Sequence, residues 1–215
     1  MNIGILGSGD VARSLGIGLS KLGHSVKLGS REPQSEKLRA WMSSAGKGGS
    51  TGTFAEAAKS AELVIVATLW SGTENALSLA GRDNLAGKVV IDATNPLVFR
   101  GQGLLPELAL GHTDSGGEQV QRWLPAARVV KCFNIVGHAQ MVHPSFPSGT
   151  PDMLICGNDP KAKETVTALL KSLGWPVTDL GGIEFSRILE PMCILWVAYG
   201  MRTGAWNHAF AILKK

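Results

Sequence analysis

Cysteine is scarce in this sequence, and its few cysteines form no recognisable pattern. The 215-residue chain has three, Cys132, Cys156 and Cys193, which lie far apart and include no C-x-x-C pair. An odd number leaves one thiol unmatched in any pairing scheme, which argues against a disulfide scaffold. This usage fits a reducing compartment, and we expect a cytoplasmic protein.

The sequence also lacks a long uninterrupted apolar run. Its most apolar late stretch, ILEPMCILWVAYGM, is too short to span a bilayer and is interrupted by Glu190 and Pro191. The amino-terminal MNIGILG shows neither the basic segment nor the long apolar segment of a secretory signal. We therefore expect no membrane partner, and we interpret the late stretch as a buried helix.

Runs of positive charge interleaved with aromatic residues are absent as well. The net charge is +4, but Lys and Arg are scattered, so we expect no nucleic acid partner. The 44% hydrophobic content excludes a disordered chain. A small polyanionic ligand accounts for the excess of positive charge equally well, because a few cations around one cleft attract anions.

Apolar runs of strand length alternate with longer helical stretches through most of the chain. Near-continuous Val, Ile and Leu runs are typical of strands covered on both faces. The alternation therefore predicts an α/β fold with a doubly wound, mainly parallel sheet of Rossmann type. Predicted strands cover residues 2–7, 25–30, 63–68, 88–94, 128–134, 152–157 and 176–181, and predicted helices cover 10–23, 33–45, 54–60, 72–81, 115–124, 160–174 and 185–204.

Two connections stand out between these elements. Residues 43–53 are rich in Gly and Ser, which predicts a mobile connection. Residues 97–117 are long for a loop in a compact domain, and such loops are functional or poorly ordered. Within that loop, Ser115 and Glu118 have the S-x-x-E spacing of a helix start.

A glycine-rich turn follows the first strand. Its sequence G-x-G-x-x-A allows a tight turn, close approach of backbone to a pyrophosphate and close helix–strand packing. The helix that follows offers free N–H groups to phosphates. We therefore predict a dinucleotide-binding turn formed by Gly7, Ser8, Gly9, Asp10, Val11 and Ala12.

The end of the second strand distinguishes NAD from NADP. An NAD site places Asp or Glu about 20 residues after the glycines, but here Gly29, Ser30 and Arg31 stand there. A serine hydroxyl and a guanidinium can donate hydrogen bonds to the 2′-phosphate, which a carboxylate would repel. We therefore predict NADP(H) as the cofactor; whether Lys37 assists Ser30 and Arg31 stays open.

GSGDVAR, GSR, DATNP and VVKCFN occur in this order along the chain, in the stretches 7–13, 29–31, 92–96 and 129–134. Together they resemble the coenzyme F420-dependent NADP oxidoreductase family, including the cytoplasmic NADPH domain of the STEAP ferrireductases. The resemblance covers nearly the whole chain. It implies a Rossmann domain that presents the nicotinamide of NADPH to a flat partner such as coenzyme F420 or a flavin (FMN or FAD).

The resemblance also implies functions for individual residues. Ser8, Gly9, Asp10 and Val11 would hold the pyrophosphate, and Ser30 and Arg31 the 2′-phosphate. The nicotinamide side would be formed by Thr68, Leu69, Trp70, Asn95, Pro96 and Asn134. At the ring site, Asn134 matches the STEAP-like relatives, whereas the archaeal enzymes have histidine there. All these positions follow strands, where open α/β sheets bind ligands.

No residue is predicted to be a dedicated catalytic acid or base, and no metal site is predicted. Hydride transfer between two ring systems mainly requires that they be held face to face. His138 is the best placed histidine, but a polar loop residue is the more frequent outcome. We expect Asp92 and Lys131 to form structural hydrogen bonds or a salt bridge, and Cys132 to be a small core residue.

These observations predict an NADP-binding domain over residues 1–182 and a helical C-terminal appendage over 183–215. The appendage would pack at the active site or at a dimer interface. For Trp196, Tyr199 and Trp206, a wall of the acceptor site and a core or dimer contact remain equally open. The expected function is hydride transfer between NADPH and a planar small molecule. The alternatives are an imine or hydroxyacid reductase and a non-catalytic NADPH-binding module.

Overall fold

The structure is a computed structural model, and it describes residues 1–213. Within this range the strands are β1 (Asn2–Leu6), β2 (Ser25–Gly29), β3 (Gly49–Gly52), β4 (Leu63–Val66), β5 (Val89–Asp92), β6 (Leu97–Val98), β7 (Glu107–Leu108), β8 (Arg128–Lys131), β9 (Met153–Gly157) and β10 (Val177–Asp179). The α-helices are α1 (Asp10–Lys21), α2 (Glu36–Ala45), α3 (Phe54–Ser60), α4 (Trp70–Ala80), α5 (Arg82–Leu85), α6 (Gly116–Trp123), α7 (Pro160–Ser172) and α8 (Ser186–Thr203).

Eight of these strands form one sheet in the order β10-β9-β8-β5-β4-β1-β2-β3. Neighbouring strands are parallel except β8 and β9, which are antiparallel. The last residues of the central strands are register partners in the series Gly29, Leu6, Val66, Asp92 and Lys131. The segments that follow these strands therefore meet along one edge of the sheet, where open α/β folds bind ligands.

The sheet is buried on both faces. Successive side chains of a strand point to opposite faces, so Ile3 and Ile5 of β1 join one apolar cluster while Leu6 joins another. Helices α1, α2 and α7 complete the first cluster, and α3, α4, α6 and α8 complete the second. This arrangement confirms the predicted α/β fold with a doubly wound, mainly parallel sheet. The division into a domain and an appendage stays a prediction.

The prediction of a mobile connection over residues 43–53 is wrong. Residues 46–48 form a short 3-10 helix, and Gly49–Gly52 form the edge strand β3 beside β2. A Cβ at Gly49 would lie 2.5 Å from the Cβ of Ala45 and 3.2 Å from the Trp41 ring, so close packing excludes a larger side chain. Glycine here allows close packing of an edge strand, which the composition alone does not reveal.

The long connection over residues 97–117 contains the antiparallel hairpin β6–β7 and ends where Ser115 caps α6. The Ser115 hydroxyl oxygen accepts a hydrogen bond from the Glu118 N–H at 3.2 Å. The predicted helix start is thus confirmed. Among residues 1–213, no helix is long and apolar enough to cross a membrane.

Candidate functional site

The turn between β1 and α1 needs its two glycines for different reasons. Gly7 has φ 139°, and a Cβ there would lie 2.3 Å from the carbonyl oxygen of Ala67. Gly7 is therefore required by the fold itself. Gly9 has φ −74°, and a Cβ there would meet no atom within 4 Å. The space beside Gly9 is open, and it belongs to the cleft described next.

A cleft of about 960 Å³ runs along the carboxyl edge of the sheet. Its centre is formed by the glycine turn and the start of α1, which has no side-chain cap. The first N–H groups of such a helix are free to bind an anion. The lining residues are Gly7, Ser8, Gly9, Asp10, Val11, Ser30, Arg31, Glu32, Ser35, Lys37, Phe54, Ala67, Thr68, Leu69, Ser71, Gly72, Asn75, Ala76, Ala93 and His138.

One end of the cleft follows β2 and is cationic. The Ser30 N–H donates to the Gly52 carbonyl at 3.0 Å, and the Ser30 hydroxyl oxygen accepts from the Glu32 N–H at 3.1 Å. Strand β3 therefore helps to fix the position of Ser30. Arg31 and Lys37 are exposed and line this end, and within residues 1–213 neither forms an ion pair.

The other end of the cleft follows β4 and is partly apolar. Leu69 precedes α4 and has 77% of its surface exposed. The Thr73 hydroxyl donates to the Leu69 carbonyl at 3.1 Å and lies 2.9 Å from the Thr68 hydroxyl oxygen. Thr68 must then donate to Thr73, because each hydroxyl has one proton, and the Thr68 oxygen can still accept from a ligand.

Five of the residues assigned to the cofactor lie outside the lining of this cleft. Ala12 is a buried residue of α1, and its small side chain fits the close packing expected of it. Trp70 stacks on Trp123, with ring centroids 5.4 Å apart. Pro96 accepts a hydrogen bond from the Ala109 N–H at 2.7 Å. The remaining two, Asn95 and Asn134, bind each other.

The Asn95–Asn134 pair connects the ends of β5 and β8. The Asn95 amide donates to the Asn134 carbonyl at 2.8 Å, and the Asn134 amide donates to the Asn95 side-chain oxygen at 3.0 Å. Asn134 also donates to the Leu189 carbonyl of α8 at 2.9 Å. Between β8 and this pair, the buried Phe133 has φ 65°, a strained value that the surrounding contacts must hold. Contact of Asn95 or Asn134 with a cofactor stays a prediction from the family resemblance.

Directly behind this pair lies a fully buried ionic cluster. Lys131 Nζ lies 2.9 Å from Asp92 Oδ2 and 2.7 Å from Glu190 Oε1, and it donates to the Thr94 carbonyl at 2.8 Å. All three charged side chains are at most 1% exposed. The expected structural salt bridge between Asp92 and Lys131 is confirmed. Glu190, which the sequence shows as an isolated carboxylate in an apolar run, is the partner that sequence reasoning missed.

Glu190 also connects α8 to α6. Its carboxylate oxygens accept hydrogen bonds at 2.9 Å from the N–H groups of Gly116 and Gly117 at the start of α6. Burial alone would lower the pKa of Lys131, but the adjacent carboxylates of Asp92 and Glu190 outweigh it and raise that pKa above its ordinary value. Lys131 is therefore a permanent cation that holds the two carboxylates together, and it is unsuited to proton transfer.

All three cysteines are buried and free. Burial raises the pKa of Cys132 well above its ordinary value, that of Cys156 to about 11 and that of Cys193 to about 12. The thiol must lose its proton to become a nucleophile. Cys132 is therefore a buried core residue, as expected.

Four aromatic rings of the C-terminal segment form one cluster. Trp196 stacks on His208 with ring centroids 4.8 Å apart, and its indole N–H donates to the His208 carbonyl at 2.9 Å. Trp206 and Tyr199 complete the cluster. A Cβ at Gly137 would lie 3.0 Å from the Trp196 ring, so this cluster packs beside the segment that leads to His138. The cluster thus approaches the β8 end of the cleft.

The sheet, the glycine turn and the cationic edge after β2 define a Rossmann-type dinucleotide-binding protein. Comparison with known proteins narrows the class. The family model described as "NADP oxidoreductase coenzyme F420-dependent" matches residues 2–96. A crystal structure of a proposed F420-dependent NADP reductase from Arthrobacter sp. FB24 is 38% identical, superposes with a TM-score of 0.93, and covers 100% of both chains. The chain belongs to the F420-dependent NADP oxidoreductase family.

Curated relatives fall into two groups. The F420-dependent NADP reductase of Methanocaldococcus jannaschii is 30% identical over 68% of this chain and 66% of its own length. Metalloreductase STEAP3 of Rattus norvegicus is 35% identical over 87% of this chain but only 35% of its own length. The chain thus spans about a third of the STEAP protein it matches. A reductive aminase from Aspergillus terreus in complex with NADPH, at 19% identity and a TM-score of 0.67, shares the fold.

Proposed function

We propose that this protein binds NADPH and transfers hydride from it to a planar acceptor, either coenzyme F420 or a flavin. The observation that carries this proposal is the polarity of the cleft. One end offers the cations Arg31 and Lys37, which form no ion pair within residues 1–213, and the other offers the exposed apolar Leu69 beside the hydroxyl of Thr68. A phosphorylated adenosine fits the first end and a nicotinamide ring fits the second.

The centre of the cleft fits the pyrophosphate of such a cofactor. The open space beside Gly9 is the volume that a Cβ would occupy, and the uncapped start of α1 directs its N–H groups into the same region. Ser30 and Arg31 would donate to the 2′-phosphate, and Lys37 lies at the same rim. Two cations at this rim favour a ligand with the additional phosphate charge.

At the ring end, Thr68 and Leu69 would orient the cofactor rather than react. NADPH, when bound, supplies a hydride at its nicotinamide ring. The Thr68 oxygen is free to accept from the carboxamide of that ring, and Leu69 offers an apolar surface to the ring itself. Positioning of this kind is the main contribution that hydride transfer between rings requires of a protein. Asn95 and Asn134 hold the adjacent loops in place.

An acceptor panel tests the proposal. Wild-type protein with NADPH is mixed in turn with F420, FMN, FAD, a cyclic imine and a hydroxyacid's parent ketoacid, and absorbance is followed at 340 nm. We expect NADPH oxidation with F420 or a flavin and none with the imine or the ketoacid. Oxidation by the imine or the ketoacid alone would assign the small-substrate alternative. Cofactor binding without oxidation by any of these would favour a non-catalytic module.

Gly9→Ala separates cofactor binding from folding. We expect the substitution to weaken NADPH binding by about tenfold, because the new Cβ enters the space proposed for the pyrophosphate. The free energy of unfolding should change by about 1 kcal/mol or less, since Gly9 has an ordinary φ and no close neighbour there. Titration of cofactor fluorescence and denaturant unfolding measure the two quantities.

Gly7→Ala is the matched control for Gly9→Ala. Its Cβ would collide with the Ala67 carbonyl at a φ that favours glycine, so its main effect should be on stability. If both variants lost stability equally and retained NADPH affinity, Gly9 would have no special relation to the cofactor.

We further propose that the protein acts in the cytoplasm as a homodimer. Three apolar residues of α8 are more than half exposed, Ile188 at 55%, Leu195 at 58% and Tyr199 at 52%. Phe99 near the β6–β7 hairpin is 66% exposed. Exposed apolar patches of this kind mark association surfaces. In a sedimentation experiment, we expect the wild type to be a dimer and Leu195→Glu to be a monomer. A monomeric wild type would contradict the proposed dimer.

A further inference from the structure

His138 is a histidine that lines the cleft from the segment after β8. It begins the short 3-10 helix His138–Gln140 after β8, and it lines the cleft. In the sheet order, β8 lies beyond β4 and β5 from β1, whereas β2 lies on the other side of β1. His138 therefore follows a strand on the opposite side of β1 from Arg31, and it lines the same cleft as Thr68 and Leu69, where the proposed function places the nicotinamide ring.

One ring nitrogen of His138 is held and the other is free. Nδ1 lies 3.0 Å from the Ser14 hydroxyl oxygen on α1. Within residues 1–213, Nε2 has no hydrogen-bond partner. A serine hydroxyl can donate to a neutral imidazole nitrogen or accept from a protonated one, so Ser14 can hold the ring in both states. The ring is thus oriented while Nε2 stays available to a ligand.

The charged side chains nearest to Ser14 in the sequence of α1 pair with each other. Helix α1, which packs against the 3-10 helix, presents Asp10 and Arg13 near Ser14, and these two form an ion pair with each other. From the C-terminal segment, the adjacent Gly137 is contacted by Trp196 and Trp206, which are uncharged. Imidazole is the side chain that ordinarily gains and loses a proton between about pH 5 and 8.

We infer that His138 donates a proton from Nε2 to the acceptor as the acceptor is reduced; this inference rests on the proposed function. The C–H bond of the nicotinamide breaks, and its hydride, with both electrons, forms a new bond on the acceptor ring. The acceptor is reduced, NADPH is oxidised, and negative charge develops on a ring nitrogen of the acceptor. The Nε2–H bond of His138 breaks, an N–H bond forms on that nitrogen, and His138 regains a proton from water.

His138→Ala tests this inference through rate and binding. We expect kcat with F420 or FMN to fall about 100-fold, the usual contribution of a general acid. The pH profile of kcat should differ between the wild type and His138→Ala, because the variant lacks the proton donor. The KM for NADPH should stay within about twofold, because His138 and Arg31 follow strands on opposite sides of β1. His138→Gln can donate a hydrogen bond but not a proton. It should therefore bind the acceptor as the wild type does, but its kcat should be reduced like that of His138→Ala.

His24→Ala is the matched control, because His24 directly precedes β2, at the edge of the sheet away from the cleft. Its kcat and pH profile should equal those of the wild type. A His138→Ala variant with unchanged kcat and an unchanged pH profile would overturn the inference while the proposed function stands. If wild-type protein loaded with NADPH binds the acceptor but does not reduce it, the proposed function fails. In that case, acceptor binding by His138→Ala decides the inference. Acceptor affinity that is tenfold weaker than in the wild type supports contact of His138 with the acceptor, and unchanged acceptor affinity overturns the inference.

Discussion

Lys131→Met is expected to destabilise the protein by about 3–5 kcal/mol, the usual cost of removing one partner from a buried ion pair. The variant would leave the carboxylates of Asp92 and Glu190 fully buried without their cation. The Thr94 carbonyl would also lose its donor. Because Glu190 fixes α8 to the start of α6, we expect the carboxyl edge of the sheet to loosen as well. Denaturant unfolding of wild type and variant measures the difference.

Arg100→Met is the control, because Arg100 forms an exposed ion pair with Glu107 whose side chains are 65% and 61% exposed. Exposed pairs contribute only about 0–1 kcal/mol. The double variant Lys131→Met, Glu190→Gln lacks one of the two carboxylates that Lys131→Met leaves without a cation. Its loss of unfolding free energy should therefore be smaller than the sum of the losses in Lys131→Met and in Glu190→Gln. A Lys131→Met protein as stable as Arg100→Met would show that the buried cluster does not hold α8 and β8 together.

Arg31→Ala is expected to weaken NADPH binding by about 1.5–3 kcal/mol, or about 10- to 150-fold, by loss of a charged hydrogen bond. NADH lacks the 2′-phosphate, so its affinity should barely change. Arg31 has no protein partner within the described residues 1–213, so the fold should be unaffected. Titration of each variant with both cofactors gives the selectivity directly.

Arg39→Ala is the matched control for Arg31→Ala, because Arg39 lies on α2 and is exposed but does not line the cleft. It should bind both cofactors as the wild type does. Lys37→Ala should also lose affinity for NADPH selectively, since both cations line the same rim. We expect this loss of NADPH affinity to be smaller than in Arg31→Ala. An equal loss of NADPH and NADH affinity in Arg31→Ala would mean that Arg31 does not bind the 2′-phosphate.

The parts of this fold that the sequence predicts are those with strong local patterns. Leu63–Val66 and Val89–Asp92 are buried at every position, so their apolar runs are unambiguous. The edge strand β3 has the sequence GSTG and no apolar pattern. It exists because β2 offers an unpaired edge, with Val26 facing Gly49 in the register, and because Trp41 and Ala45 pack against it. Tertiary packing therefore decides this element.

The residues of the candidate site likewise include some that local motifs predict and others that only tertiary contacts bring together. The glycine turn and the Ser30–Arg31 edge are local motifs, and the structure places both in one cleft. Glu190 is 59 positions from Lys131 in the sequence (190 − 131), so their pairing depends on how α8 returns to the sheet. The Ser14–His138 contact likewise joins residues 124 positions apart. Such contacts leave at most a weak signal in the sequence, as in the single carboxylate of an apolar helix.

Transfer of deuterium tests the central claim most directly. NADPH carrying deuterium at C4 of the nicotinamide, on each face in turn, is mixed with the protein and F420, whose hydride-accepting position is a carbon. The account predicts that one of the two labelled cofactors delivers its deuterium to that carbon, as mass spectrometry of the reduced acceptor would show. NADPH oxidation that leaves the acceptor unlabelled with both cofactors, or no oxidation by F420 and flavins at all, would contradict it.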